Sequence, residues 1–99
     1  MTRGGTVYMM ASLNNNALYT GVTSDLIARV QEHKLKVYPR GFTSKYHCIK
    51  LVYYNSFSTI EEAILEEKRI KGGSRMKKEK LINLKNPEWK DLWDEIKDW

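Results

Sequence analysis

The chain has 99 residues, a length that suits one domain with one modest core. Apolar residues make up 41% of it and charged residues 29%, which is typical of a folded globular protein and not of a disordered or fibrous one. No stretch approaches the roughly 18 consecutive apolar residues of a membrane span, and the first dozen residues lack the apolar core of a signal peptide. We therefore expect a cytoplasmic protein that does not enter a membrane.

Charge and cysteine content narrow the function further. Residues 1–87 carry 15 Lys and Arg against 7 Asp and Glu, whereas the last twelve residues carry five acids and two bases. A basic body favours an anionic partner such as nucleic acid. With one cysteine, Cys48, and two histidines, the chain cannot build a zinc cluster, so any metal is expected on oxygen ligands.

The first predicted element is a β-hairpin. Two β-prone segments, 6–11 and 17–22, flank a turn at residues 14–16. An even number of loop residues places Tyr8 opposite Gly21 and brings Tyr19 onto the same face of the sheet. A glycine opposite Tyr8 would leave space there for a phosphate.

A helix is predicted next, through about Leu35, with three candidate N-caps at residues 23–25. Its buried stripe is expected to contain Leu26, Ile27, Val30 and the stem of Lys34. Arg29 and His33 lie one turn apart along one edge of that stripe. A guanidinium can bind phosphate oxygens, and an imidazole can move a proton near neutral pH.

Residues 36–47 are interpreted as a basic loop with interleaved aromatic side chains. Proline and glycine break regular structure there, and a loop of this composition suits phosphate contact and base stacking. The next segment, 48–54, is predicted as a third strand, apolar enough to be central in the sheet. The candidate nucleic-acid contacts of the loop are Lys36, Arg40, Lys45 and Tyr46.

Glu67 is the most informative residue of the next predicted helix, which begins with a capping box at Ser58 or Thr59 and ends near Lys71. It falls at the centre of the stripe formed by Ile60, Ala63, Ile64 and Ile70. A buried carboxylate requires a cation. Two readings stay open: a salt bridge, for instance to Arg29, Lys45 or Lys71, or a divalent Mg²⁺ or Mn²⁺ ion.

Two further helices are predicted after Gly72 and Gly73. A basic helix covers about 75–84, and its Arg75, together with Lys71, extends the candidate nucleic-acid surface. A C-terminal helix at about 87–98, with Asn86 as its N-cap, is expected to dock through a stripe of Trp89, Leu92, Trp93 and Ile96.

The two tripeptides Thr6-Val7-Tyr8 and Tyr19-Thr20-Gly21, followed by Arg29, His33 and Glu67, resemble the motifs of the GIY-YIG nuclease superfamily, especially its small stand-alone bacterial members. The resemblance implies one GIY-YIG nuclease-like domain over residues 1–99, with an α+β fold of a three-stranded antiparallel sheet flanked by helices. It also implies hydrolysis of phosphodiesters with one divalent ion on Glu67. Tyr8 would be the general base, Arg29 would bind the scissile phosphate, and Tyr19 and His33 would assist. Asn83 and Asn86 are both candidates for the family's late asparagine.

Three functions follow as hypotheses. The first is a metal-dependent endonuclease acting on DNA more readily than RNA, on branched, nicked or single-stranded forms such as arise in DNA repair. The second is a nucleic-acid-binding module with no independent activity or with a need for a protein partner. The third is a protein-interaction domain that uses the tryptophans Trp89, Trp93 and Trp99, although their helical spacing favours docking onto the chain itself.

Overall fold

The computed structural model describes residues 4–99. Three antiparallel strands form a sheet in the order β2-β1-β3, and helices flank it, so the predicted α+β fold is confirmed. Among residues 4–99, no helix has the length and apolar character needed to cross a membrane. The elements in chain order are β1 (Gly5–Ala11), β2 (Leu18–Thr23), α1 (Leu26–Lys34), α2 (Phe42–Lys45), β3 (Lys50–Phe57), α3 (Ile60–Lys71), α4 (Arg75–Lys85) and α5 (Trp93–Ile96).

The hairpin of β1 and β2 has the predicted register. Its loop, residues 12–17, has an even number of residues and closes with a hydrogen bond from Ser12 N to Ala17 O of 3.1 Å. Tyr8 therefore lies opposite Gly21, and Met10 lies opposite Tyr19. Both tyrosines belong to one face of the sheet.

The prediction that β3 is the central strand is wrong, because β1 lies between β2 and β3. The strand also continues past the predicted end at Asn55 and Ser56. Its apolar character has another cause. A bulge opposite Met9 and Met10 inserts Val52, and the C-terminal segment covers the outer edge through a 2.7 Å hydrogen bond from Leu92 N to Leu51 O.

Alternation along the strands divides the core between the two faces of the sheet. Helices α3 and α4 cover one face, where the buried residues are Val7, Met9, Ala11, Val52, Tyr53, Ala63, Ile70 and Ile82. Helix α1 and the C-terminal segment cover the other face, where they are Tyr8, Met10, Leu26, Val30, Cys48, Leu51 and Ile96.

Side-chain caps fix where the helices begin. Asp25 accepts a hydrogen bond from Ala28 N at the start of α1, and Thr59 forms a capping box with Glu62 at the start of α3. The buried stripe of α3 is narrower than predicted, since Ile64 is 36% exposed. The buried face of α3 is therefore formed by the small Ala63 and by the helix's C-terminal turn.

The predicted helix over 87–98 is wrong, because only Trp93–Ile96 is helical. Asn86 is the C-cap of α4 rather than an N-cap, and its buried side chain bonds Val52 O at 3.1 Å and the backbone of Lys90. These bonds hold a turn in which Trp89 has a φ of 54°. Leu92, Trp93 and Ile96 pack on the Tyr8 face of the sheet, whereas Trp89 packs on the opposite face, so the four residues do not form the single stripe that was predicted.

Candidate active site

Gly21 leaves the space in which the Tyr8 side chain crosses the hairpin. A Cβ atom at Gly21 would lie 2.6 Å from both Cζ and Oη of Tyr8, closer than real side-chain contacts allow. The space that the sequence assigned to a phosphate is therefore filled by the Tyr8 ring. With this strand pairing the Tyr8 phenol points towards α1 and is fully buried.

His33 is the hydrogen-bond partner of the Tyr8 hydroxyl. The Tyr8 Oη and His33 Nε2 atoms are 2.7 Å apart, and His33 Nδ1 lies 2.8 Å from Thr43 Oγ1 on α2. His33 and Thr43 are both buried. Both imidazole nitrogens are thus held by hydroxyl groups from different elements, which fixes the ring in place.

The surroundings keep both members of this pair uncharged at neutral pH. Burial, followed by the positive charge of Arg29, lowers the pKa of His33 to about 4 from its ordinary value of 6.5. Burial also raises the pKa of the Tyr8 phenol above its ordinary value of 10, although Arg29 opposes that rise. A neutral imidazole can accept a hydrogen bond, which an imidazolium cannot.

Tyr19 and Phe42 extend the site along an aromatic row. The Tyr19 ring centroid is 6.2 Å from that of Tyr8 and 6.0 Å from that of Phe42, and Phe42 lies 4.6 Å from Tyr46. Tyr19 is half-buried, whereas Phe42 and Tyr46 are 44% and 45% exposed. The row therefore leads from the buried phenol to open surface.

Arg29 lies at the rim of the site beside Tyr8. Its Nη1 atom donates to Glu32 Oε1 at 2.9 Å, and its guanidinium carbon is 5.6 Å from the Tyr38 ring centroid. About a third of the side chain is exposed. A guanidinium in this position can exchange its solvent-facing partner for a phosphate while it stays next to the phenol.

Glu67 on α3 is paired with Lys71, and that lysine is its link to the tyrosines. Its Oε2 atom is 3.0 Å from Lys71 Nζ, and 13% of the Glu67 side chain is exposed. Lys71 Nζ in turn lies 5.9 Å from the Tyr19 ring centroid. The inward direction predicted for Glu67 is correct, and its lysine lies against Tyr19 rather than away from the tyrosines.

Comparison with known proteins decides the family. Residues 4–83 match the model of the GIY-YIG catalytic domain. This chain belongs to the GIY-YIG family.

Similar proteins carry the UPF0213 name. A UPF0213 protein of Haloquadratum walsbyi is 37% identical over 71 residues, which cover 69% of this chain and 75% of that protein. A UPF0213 protein of Staphylococcus aureus is 37% identical over 73 residues, covering 70% and 83%. The solution structure of a UPF0213 protein from Bacillus halodurans aligns with a TM-score of 0.56 at 31% identity, covering 89% of this chain and 92% of that one. Membership in a nuclease family supports a role in cleaving nucleic acid.

The candidate site of this chain offers few ligands for a hard divalent ion, but they are of the oxygen type that such an ion binds. Among residues 4–99 there is no cluster of three or more His, Cys, Asp and Glu side chains for a metal. Glu67 offers one carboxylate, next to the Lys71 ammonium that lies over Tyr19. Mg²⁺ commonly binds through one or two carboxylates and completes its shell with water and phosphate oxygens, so this donor set fits such an ion together with a bound phosphate.

The predicted nucleic-acid residues divide into two groups. Arg40 and Lys45 are exposed on the segment around α2, and Lys45 Nζ lies 5.4 Å from the Tyr46 ring centroid. Lys36 contacts His47 Nδ1 across the base of that segment, next to a groove of about 550 Å³. Arg75, in contrast, donates to the carbonyls of Asn15 and Asn16 and to Glu79, so it holds the hairpin loop.

Sequence reasoning missed two contributors to the site. Thr43 and Phe42 belong to α2, a four-residue helix too short to give a periodic pattern, and were included in a loop. Lys71 was predicted as a nucleic-acid contact and as one of three possible partners of Glu67, and the i, i+4 salt bridge to Glu67 is the interaction that the structure shows. The late asparagines have structural partners instead: Asn83 accepts from Trp89 Nε1 at 2.7 Å.

Proposed function

We propose that this chain is a divalent-metal-dependent endonuclease that hydrolyses phosphodiester bonds in DNA. The observation that carries the proposal is the 2.7 Å contact between a buried phenol, Tyr8, and a neutral imidazole, His33, with Arg29 alongside. A buried structural tyrosine needs only a hydrogen-bond acceptor for its hydroxyl. A tyrosine that acts as a general base needs an acceptor that can also take a proton, because it must lose its own proton as it takes one from water.

The proton path runs inward. As the water oxygen bonds to phosphorus, its proton passes to Tyr8 Oη while the phenolic proton passes to His33 Nε2. The bond from phosphorus to the leaving oxygen breaks, and that oxygen takes a proton from solvent. His33 becomes positively charged, which burial and the charge of Arg29 both oppose, and an anionic phosphate bound at Arg29 weakens the second of these effects.

Arg29 has a second task, because Tyr8 is fully covered before substrate binds. Substrate phosphate competes with Glu32 for the guanidinium, and the resulting movement of Arg29 uncovers the phenol for the attacking water. Bound to a phosphate oxygen, Arg29 then offsets the charge that develops in the transition state. Tyr19 forms the adjacent wall.

Glu67 is the proposed ligand of Mg²⁺ or Mn²⁺. When bound, the ion polarises the phosphodiester and stabilises negative charge on its oxygens. In its absence Lys71 neutralises the carboxylate at 3.0 Å, which explains how Glu67 tolerates its largely buried position. When the ion takes over this role, Lys71 is released and can turn toward the substrate backbone.

The surface next to the site favours DNA with unpaired bases. Phe42 and Tyr46 offer exposed rings beside Tyr19, and Lys45 lies over the outer ring. Aromatic rings bind bases that are not paired within a duplex, and lysines track the backbone. Branched, nicked and single-stranded DNA, the forms handled in DNA repair, are therefore the proposed substrates.

A binding module without independent activity is the second candidate. The pairing of Glu67 with Lys71 favours it, since a carboxylate held by a lysine needs no metal. Such a module would bind the same nucleic acids, and activity would require a partner protein.

The deciding experiment compares cleavage by wild type, Glu67→Gln and Glu66→Gln. Labelled single-stranded, nicked, branched and duplex DNA, and RNA, are incubated with Mg²⁺, Mn²⁺ or chelator. Glu66, the neighbouring carboxylate of α3, which pairs with Arg69 instead of Lys71, is the matched control. We expect cleavage that requires metal, survives Glu66→Gln and falls by at least roughly a hundredfold in Glu67→Gln. Binding without cleavage above the Glu67→Gln level would establish the module instead.

A further inference from the structure

Thr43 is the second partner of His33, on the side of the ring away from Tyr8. Its Oγ1 atom lies 2.8 Å from His33 Nδ1, and its side chain is 6% exposed. The other ring nitrogen, Nε2, lies 2.7 Å from Tyr8 Oη. The imidazole therefore joins two hydroxyl groups in a row that runs from β1 through α1 to α2.

Two arrangements of protons satisfy this row. A neutral imidazole carries one proton, so one ring nitrogen donates and the other accepts. With the proton on Nε2, His33 donates to Tyr8 and Thr43 donates to Nδ1. With the proton on Nδ1, His33 donates to Thr43 and Nε2 presents its lone pair to the Tyr8 hydroxyl. Only the second arrangement can take a proton from Tyr8.

We propose that Thr43 is a positioning residue that holds the proton of His33 on Nδ1. Its hydroxyl oxygen accepts that hydrogen bond and leaves Nε2 as the acceptor for Tyr8. The same bond persists when the phenolic proton arrives at Nε2, because Nδ1–H still donates to Thr43 in the imidazolium. The inference rests on the proposed function, in which Tyr8 transfers its proton to His33.

The backbone around Thr43 is built to hold this position. Thr43 O accepts from Cys48 N at 2.8 Å, and Gly41 O accepts from Lys45 N at 3.0 Å. The first bond ties α2 to the segment that leads into β3, and the second closes the turn of α2 itself. Its neighbour Phe42 contacts Tyr19, so one short helix supplies both the outer aromatic ring and the hydroxyl behind the histidine.

The test pairs a spectroscopic readout with the nuclease rate. Thr43→Val keeps the shape and removes the hydroxyl, whereas Thr43→Ser keeps the hydroxyl. The ¹⁵N chemical shifts of the imidazole nitrogens report which one carries the proton, and the other histidine, exposed His47, is the internal reference. We expect a proton on Nδ1 in wild type and Thr43→Ser. In Thr43→Val we expect a shift towards Nε2–H and a cleavage rate lower by roughly tenfold or more.

The outcomes separate this inference from the proposed function. A wild-type His33 protonated on Nε2 overturns the role of Thr43, and so does a Thr43→Val variant with wild-type tautomer or rate. A wild type that cuts no substrate overturns the nuclease and with it the catalytic use of the tautomer, whatever the spectra show. If Thr43→Val does not fold, Thr43→Ala with the same spectra takes its place.

Discussion

His33 shows how burial of one side chain ties the stability of this fold to pH. Its folded pKa of about 4 lies below the ordinary 6.5, so the unfolded chain binds a proton more readily than the folded one between these values. The resulting stability is fully present above about pH 6.5 and is lost as the pH falls towards 4. Acid therefore favours unfolding, because it charges a ring that burial and Arg29 keep neutral.

We predict that lowering the pH from 7 to 5 costs wild type about 1 to 2 kcal/mol more unfolding free energy than it costs His33→Gln. Urea unfolding at the two pH values measures the difference. His47→Gln, which alters an exposed ring, should keep the wild-type loss. Equal losses in wild type and His33→Gln would show that the imidazole is not held in its neutral form.

Gly21 is required by the Tyr8 ring rather than by backbone conformation. A Cβ there would meet Tyr8 Oη at 2.6 Å and the Tyr19 ring at 2.9 Å. Gly21→Ala should therefore displace the phenol from His33, reduce stability by about 1 to 3 kcal/mol and lower the cleavage rate. Gly72→Ala is the matched control, because a Cβ at Gly72 has its nearest contact at 3.5 Å. Unfolding curves and initial rates of both variants decide the matter; equal stability of the two would contradict the clash.

Among the elements, the hairpin and α3 could be predicted because their signals are local. Six loop residues fix the register of β1 and β2, and the helical period carries Glu67 inward next to Ala63 and Ile70. The order of the strands could not be read from β3, since apolar runs report burial and not position in a sheet. The outer edge of β3 is buried because residues much later in the chain cover it; Asp91, for example, lies 40 positions after the Leu51 amide that it binds.

The C-terminal segment failed as a helix prediction for a related reason. Its apolar spacing suits a helix, but Asn86 gives its hydrogen bonds to β3 and to Lys90, and Asp91 caps Trp93 N while bonding Leu51 N. These long-range bonds outweigh helical propensity over residues 87–92. For the same reason the motif residues of the site could be named from the sequence, whereas Thr43, set by the packing of α2, could not.

Asn86 is predicted to be structural and not catalytic. Asn86→Ala leaves the buried Val52 carbonyl without its partner and releases the turn that carries Trp89, so we expect a loss of about 1 to 3 kcal/mol in unfolding free energy. The cleavage rate of the folded fraction should be unchanged. Asn83→Ala removes only the exposed bond to Trp89 and should cost less. Thermal unfolding followed by tryptophan fluorescence compares them, and a rate loss without a stability loss in Asn86→Ala would place it in the site after all.

Over the whole molecule, the acidic C-terminal segment and the candidate site lie at opposite edges of the sheet. The acidic C-terminal segment lies along β3, where Glu95 accepts from Tyr54 Oη and Asp91 accepts from Leu51 N. The candidate site and the aromatic row lie along β2, through Tyr19 and Phe42. An approaching polyanion is therefore repelled from one edge and attracted to the other, which orients it before contact.

This arrangement predicts which cations set the salt dependence of DNA binding. A variant with Lys36, Arg40 and Lys45 changed to Gln removes three charges beside the aromatic row. If these residues bind phosphates, the slope of log affinity against log salt should become shallower by about two to three for single-stranded DNA, because fewer counterions are released. The matched control changes Lys80, Lys85 and Lys90 to Gln, which removes the same charge from α4 and the turn after it. Fluorescence anisotropy with a labelled oligonucleotide over a range of KCl concentrations measures both slopes. Equal changes in the two variants would mean that DNA responds to the net charge of the protein, and the segment around α2 would lose its assignment as the binding surface.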